Sequence, residues 1–210
     1  MIVIPAETII SATDYFATLG VTYTFEDSDA AQLERRFHEL QKQSHPDRFA
    51  GAGARVLGSA LEESSRINEA YRTLRNPIQR TKHLLGLFGY SVERSKNVPS
   101  ELFELVMNVQ EKVAELEFAD EKTKELILLA IAPLLASMKD RKSGGEFRVN
   151  KLRRDWDSQK NRSKPGETLT AEENVHLEQL TRELAGQAYL HTLLESLTAA
   201  INGQSLILKH

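Results

Sequence analysis

Helix-start and helix-stop residues punctuate this chain from Asp14 onward, so that it can fold only as a series of helices turned back on one another. Asp14 to Leu19 reads as a short helix closed by Gly20, a residue that readily takes the left-handed turn ending a helix. Asp29-Ala30-Ala31-Gln32 fits a capping box, in which the first side chain accepts an early backbone N–H and the fourth reaches back. The helix it opens runs from about Ala30 to Ser44, where Pro46 bars continuation. Gly51-Ala52-Gly53 to Gly58 has the composition of a loop, and Ser59-Ala60-Leu61-Glu62 is a second capping box. The apolar stripe of the helix that follows is Ala60, Ile67, Tyr71 and Leu74, and it ends before Asn76-Pro77. Pro77 suits the first turn of a further helix, through Leu84, Leu85 and Phe88 to Gly89. Ile2-Val3-Ile4 and Thr22 to Phe25 read as short extended pieces.

The second half begins with a polar linker, Tyr90 to Val98. Pro99 then opens a helix to about Glu117, and another is expected from Glu121 to Met138 with a kink or split at Pro133. Thr170-Ala171-Glu172-Glu173 caps a last long stretch. Its apolar face changes direction near Gly186, with Leu177, Leu180 and Leu184 on one side and Leu190, Leu194, Leu197 and Ile201 on the other, which predicts a kink or break there. Between them, Lys139 to Lys164 carries ten basic residues against four acidic ones, together with Gly144-Gly145 and the chain's single tryptophan, Trp156.

Among 210 residues, 40% are hydrophobic and 27% charged, enough of each for a packed core and an ordinary solvated surface. The net charge of −3 supplies no overall drive toward nucleic acid or an anionic membrane. There is no cysteine, hence no disulfide and no thiolate to hold zinc or an iron–sulfur cluster. The first basic residue is Arg35, so the start lacks the cationic flank of a secretory signal and the arginines of a mitochondrial presequence; the cytoplasm of a bacterium is the expected location. No apolar stretch reaches the roughly 20 residues that span a bilayer. The six histidines, His38, His45, His83, His176, His191 and His210, show no metal-ligand spacing, and neither a phosphate-binding glycine loop nor a nucleophile elbow occurs. The expectation is a non-enzymatic protein without a cofactor.

The second helix carries the most specific signal. At 100° per residue, Leu33, Phe37, Leu40 and Ser44 cluster on one side, while Arg35 and Lys42 fall on the opposite side with His38 nearby. The helix runs straight into His45-Pro46-Asp47-Arg48-Phe49. Proline fixes its own φ and holds the residue before it extended, so the corner is stiff and Asp47 stands at a defined place beside a cationic face. Such a device suits docking onto an acidic surface that also offers an arginine to Asp47. The basic helix, the tripeptide His45-Pro46-Asp47, a loop, and then Ile67-Asn68-Glu69-Ala70-Tyr71 through Pro77 resemble a J domain over about residues 14 to 88. The run Leu33 to Phe49, the Pro77 to Phe88 helix and the helical extension resemble HscB-type co-chaperones of iron–sulfur cluster assembly. The resemblance implies that His45, Pro46 and Asp47 stimulate ATP hydrolysis on a DnaK-type chaperone, dedicated (HscA-like) or general, with Arg35, Lys42 and Arg48 steering the encounter. Ser44 departs from the pattern, since a large side chain is usual there.

The Pro99 to Glu117 helix carries two apolar stripes. Leu102, Leu105, Val106, Val109, Val113 and Leu116 form a core face; Phe103, Met107 and Ala114 lie about 100° or more away, flanked by Glu104, Glu111 and Glu115. An apolar strip edged with carboxylates suits a partner surface. In HscB-type proteins this helix binds the cluster scaffold, which by resemblance assigns client binding to Phe103, Met107, Glu111 and Glu115; the match fails at Glu104, where an apolar residue is usual, and at Asn108, where an acid is usual. The alternative is that Phe103 and Met107 pack against the basic segment or the J domain. For residues 139 to 164 two readings stand: a solvated, mobile connector, or a contact with nucleic acid or an acidic partner through Trp156. The expected architecture is all-α: a J domain at residues 10–90, and a C-terminal helical bundle at 91–210 bearing a basic insertion near 139–169. The implied partners are the chaperone and a scaffold protein, or another client of a J-domain protein, with nucleic acid only as the alternative contact of residues 139–164 and no membrane; a monomer is expected.

Overall fold

A computed structural model describes residues 13–26, 30–49, 51–92 and 100–202. Every regular element among them is helical. In order these are α1 (Tyr15–Leu19), α2 (Ala30–Ser44), a 3-10 turn (Pro46–Phe49), α3 (Ala54–Arg75), α4 (Pro77–Leu87), a second 3-10 turn (Ser100–Leu102), α5 (Phe103–Phe118), α6 (Glu121–Asp157) and α7 (Ala171–Ile201). The extended piece expected at Ile2 to Ile4, the Asp29 cap and Pro99 lie outside the described residues.

Two compact units make up the chain. One comprises Met1–Ser91 and Arg153–Leu177; the other comprises Val92–Leu152 and Glu178–His210. Residues 153–177, placed by the sequence reading in the second region, thus belong with the first four helices.

In the first unit, local chemistry sets each boundary. Asp14 accepts the Ala17 N–H at 3.0 Å and opens α1, and Gly20 closes it at φ 64°. The Asp14 carboxylate also accepts the Tyr23 hydroxyl at 2.6 Å, a bond that pushes the tyrosine pKa up to about 12. Asn76 caps α4 by accepting from the amides of Ile78 and Gln79, with Pro77 in the first turn. The helix α3 begins at Ala54, five residues before the expected Ser59 cap; Ser59 lies inside it and donates to the Arg55 carbonyl. Gly53, at φ 87°, takes the cap position without a side-chain bond.

The core of this unit is Phe16, Leu19, Phe25, Leu33, Ile67, Leu74, Leu84 and Leu85. Phe37 on α2 stacks on Tyr71 of α3, ring centroids 4.1 Å apart, a contact of about 0.5–1.5 kcal/mol beyond its area. Trp156 is fully buried in the same unit, edge-on to Phe25 and Phe88 and beside His176. This corrects its reading as an exposed stacking group. The segment Tyr23–Glu26 has no ladder of its own, and its backbone is satisfied by side chains from far along the chain. Asp157 accepts the amides of Phe25 and Glu26 at 3.0 and 2.8 Å. Arg80 and Arg162 donate to the carbonyls of Thr24 and Tyr23, and the buried Arg153 donates to that of Phe25. At the start of α7 the predicted capping box is reciprocal: Thr170 N–H donates to Glu173, and Glu173 N–H donates to the Thr170 hydroxyl.

The second unit packs α5, α6 and α7 around Leu105, Val109, Leu116, Ile131, Met138, Leu190 and Leu197. Here the sequence reading needs two corrections. Residues 139–157 are neither connector nor loop: α6 continues unbroken from Glu121 through Pro133 and Gly144-Gly145 to Asp157. Likewise α7 passes through Gly186 without interruption. Gly145 is buried, and a methyl group there would displace the flexible end of the Gln187 side chain on α7. Arg148 meets Glu183 at 2.8 Å between α6 and α7, and Lys142 lies 3.3 Å from Glu146 along α6.

Candidate functional site

The end of α2 presents the tripeptide singled out in the sequence. Leu33, Phe37 and Leu40 turn inward, and the chain leaves the helix at Ser44 because Pro46 cannot extend it. Residues Pro46–Phe49 form a tight 3-10 turn tied back by the Arg48 N–H to the His45 carbonyl at 3.0 Å. The Asp47 amide donates to His45 Nδ1 at 3.3 Å. The Asp47 side chain is 90% exposed and that of His45 52% exposed, with Asp47 Oδ2 3.5 Å from His45 Nδ1. A carboxylate and an imidazole are thus held close together on a stiff corner and open to a visitor.

The cations assigned with the corner divide by environment. Arg35 and Lys42 are exposed on the outer side of α2. Arg48 is exposed too, but its guanidinium donates to the Lys42 carbonyl at 3.0 Å, which fastens the turn to the last turn of α2. At the helix C-terminus such a cation also answers the carbonyl end of the dipole. Ser44 is buried and its hydroxyl turns back to the Leu40 carbonyl at 3.0 Å.

The structure places Phe103, Met107, Glu111 and Glu115 along one row of α5, each four residues from the next. Phe103 and Met107 are 58% and 52% exposed, so neither is consumed by packing. Glu115 is engaged by Lys112 at 2.7 Å. Phe118, 86% exposed, lies close to the same line and extends the apolar strip by a turn. The sequence reading missed it by ending the helix at Glu117, although its spacing of seven from Glu111 carried the signal.

Two titratable groups lie in the first unit away from the corner. His83 Nε2 accepts the Tyr15 N–H at 3.1 Å, and its ring stacks on Tyr15; burial lowers its pKa against the pull of Asp14. Glu173 has its pKa raised by burial but more strongly lowered by bonds from the amides of Ser163 and Thr170 and the Ser163 hydroxyl, and it settles at about 2. Among the described residues no three His, Asp or Glu side chains gather as metal ligands, and no helix is long and apolar enough to cross a membrane.

No family model matches the chain. It is 44% identical over 79 residues to the co-chaperone protein HscB of Proteus mirabilis, covering 38% of this chain and 45% of the relative. It is 32% identical over 115 residues to an HscB homologue of Shewanella pealeana, covering 54% and 66%. The chain therefore spans less than two thirds of either relative. Among solved structures, it is similar to the chaperone HscB from Vibrio cholerae, with a TM-score of 0.55 at 20% identity, over 90% of this chain and 98% of that one. It is also similar to human co-chaperone HscB, with a TM-score of 0.56 at 23% identity, over 90% and 82%. At those identities the structural likeness speaks for the fold.

Proposed function

We propose that this chain, which belongs to the HscB type of J-domain co-chaperone, stimulates ATP hydrolysis by a DnaK-type chaperone and presents to it an iron–sulfur scaffold protein. The observation that carries this reading is the corner itself: an Asp47 side chain 90% exposed, on a proline-stiffened turn at the end of a helix whose outer side bears Arg35 and Lys42. A docking chaperone supplies an arginine to Asp47 and carboxylates to the α2 cations, and the charge-assisted pairs fix its orientation. His45 and Pro46 act through shape, since the ring and the fixed φ keep Asp47 from turning inward. The row Phe103–Met107–Glu111–Glu115, with Phe118 beyond it, is the client surface: two or three apolar anchors beside carboxylates. Holding the client and the chaperone at once raises the effective concentration of the second encounter.

The test is single-turnover ATP hydrolysis by a DnaK-type chaperone with and without this protein. Acceleration that vanishes with His45→Gln supports the reading, and acceleration that survives that substitution rejects the corner as the trigger. A second reading, a J-domain protein serving another client, has support at Glu104 and Asn108, both exposed on α5 and both unlike the family's usual residues. Scaffold binding measured by calorimetry separates the two.

A further inference from the structure

The helices α2 and α3 run antiparallel, as the pairs Phe37–Tyr71 and Gln41–Asn68 show, and their facing apolar rows close at one end only. Away from the corner Leu33 and Leu74 are fully inside. Toward the corner the rows part. A cleft of about 360 Å³ lies between them, lined chiefly by Leu40, Ser44, Phe49, Val56, Ala60 and Ile67. Val56 stands in register with Ala60, Ile67 and Leu74 on the inward face of α3, yet it is 44% exposed. The cleft stays open because Ser44, which lines it, is short and its hydroxyl is committed to its own helix.

We propose that this cleft receives one apolar side chain of the chaperone, carried on an acidic segment, and that Ser44 sets which chaperone fits; this rests on the docking function assigned to the corner. Two features of the surface specify that occupant. The first is continuity, because Ser44 and Phe49 bracket His45–Asp47 in the chain, so a partner gripping the corner covers the mouth of the cleft. The second is charge, because the exposed Lys42, Arg48 and Arg55 stand around that end of the hairpin, while the acid on the lining, Glu63, is paired with Arg66. An acidic segment with a leucine-sized side chain meets both demands. A large residue at position 44 would fill the space from within and remove the socket.

The experiment uses the full chain with Ser44→Leu, read by thermal midpoint and by the concentration giving half-maximal acceleration of the chaperone's single-turnover ATP hydrolysis. The expected result is a raised midpoint, with the half-maximal concentration increased about five- to tenfold, as for loss of one buried anchor, and the maximum unchanged at saturation. A raised midpoint with an unchanged half-maximal concentration overturns the proposal. Methyl NMR on the wild-type chain guards against a poorly folded variant: adding the chaperone shifts the Val56 and Ile67 methyl signals if the cleft is occupied, and unshifted signals overturn it. Wild-type protein that fails to accelerate hydrolysis, or His45→Gln that still does, strikes the docking function itself. Normal behaviour of both, with no Ser44→Leu effect, strikes the cleft alone.

Discussion

The corner at His45–Asp47 and the strip on α5 are both exposed, but they are built by opposite means. The corner owes its form to backbone constraint: a proline, a 3-10 turn, and an arginine tied to a carbonyl leave one carboxylate aimed outward. The strip owes its form to an ordinary helix that has more apolar residues than its core face can use, so that Phe103, Met107 and Phe118 are left over. A device of the first kind works or fails as a whole, whereas one of the second kind is graded, each side chain adding its share of apolar area. Their supports differ as well. The corner's unit depends on residues 153–177, while the strip's helix packs on Ile131, Met138 and Leu197.

The contrast is most severely tested at the corner. His45→Gln should abolish stimulated hydrolysis while circular dichroism and scaffold binding stay unchanged, and partial activity would mean the corner is graded after all. Next in size is a change far from it in sequence. Trp156→Ala should cost about 3–5 kcal/mol of stability, as for other buried aromatics, measured by urea unfolding; a cost under about 1 kcal/mol would deny Trp156 its place in the core. Smaller again, Phe103→Ala with Met107→Ala should weaken scaffold binding by about 2–3 kcal/mol in calorimetry, with little loss of stability because both side chains are already half in water. Adding Phe118→Ala should weaken it further, in steps and not all at once.

The smallest effects are those of pH, and they too fall on the corner's unit. His83 is held neutral in the fold, so its contribution is complete above the unfolded histidine value of 6.5 and declines as pH falls toward its lower folded value. Glu173 is held charged, so its contribution is complete above 4.5 and is lost as pH falls toward about 2. A thermal-midpoint titration should show a first decline below pH 6.5 that His83→Gln flattens, and a second below pH 4.5 that Glu173→Gln flattens.

Most of the first four helices could be read from the residues because their ends are chemical: Asp14, Gly20, Asn76 and Pro77 do in the structure what their side chains and φ preferences dictate. The helical start at Ala54 was hidden by Gly51, Gly53 and Gly58, whose local preference for loop is overridden where α3 packs on α2 and the turn. The same override hid the far half of α6. Met138, Gly145, Val149, Leu152 and Trp156 form a buried row at helical spacing, but two of its steps fall among glycines and arginines, where composition argues for a loop. At the candidate site, the exposure of Asp47 followed from the proline corner and the row on α5 from periodicity. The cleft did not, because the space left by a short side chain shows itself only once the facing helix has been placed.

The grip on Tyr23–Glu26 carries a consequence in time. During synthesis the first four helices leave the ribosome well before Arg153, Trp156, Asp157 and Arg162 have been added. Until those residues arrive, Phe25 and Phe88 lack the indole that covers them, and the Phe25 and Glu26 amides lack their carboxylate acceptor. Contacts separated by some 130 residues close slowly and late, since the intervening chain must first be ordered. The nascent chain therefore displays His45–Asp47 long before the unit beneath it is finished, and that unit is complete only when translation has passed the start of α7.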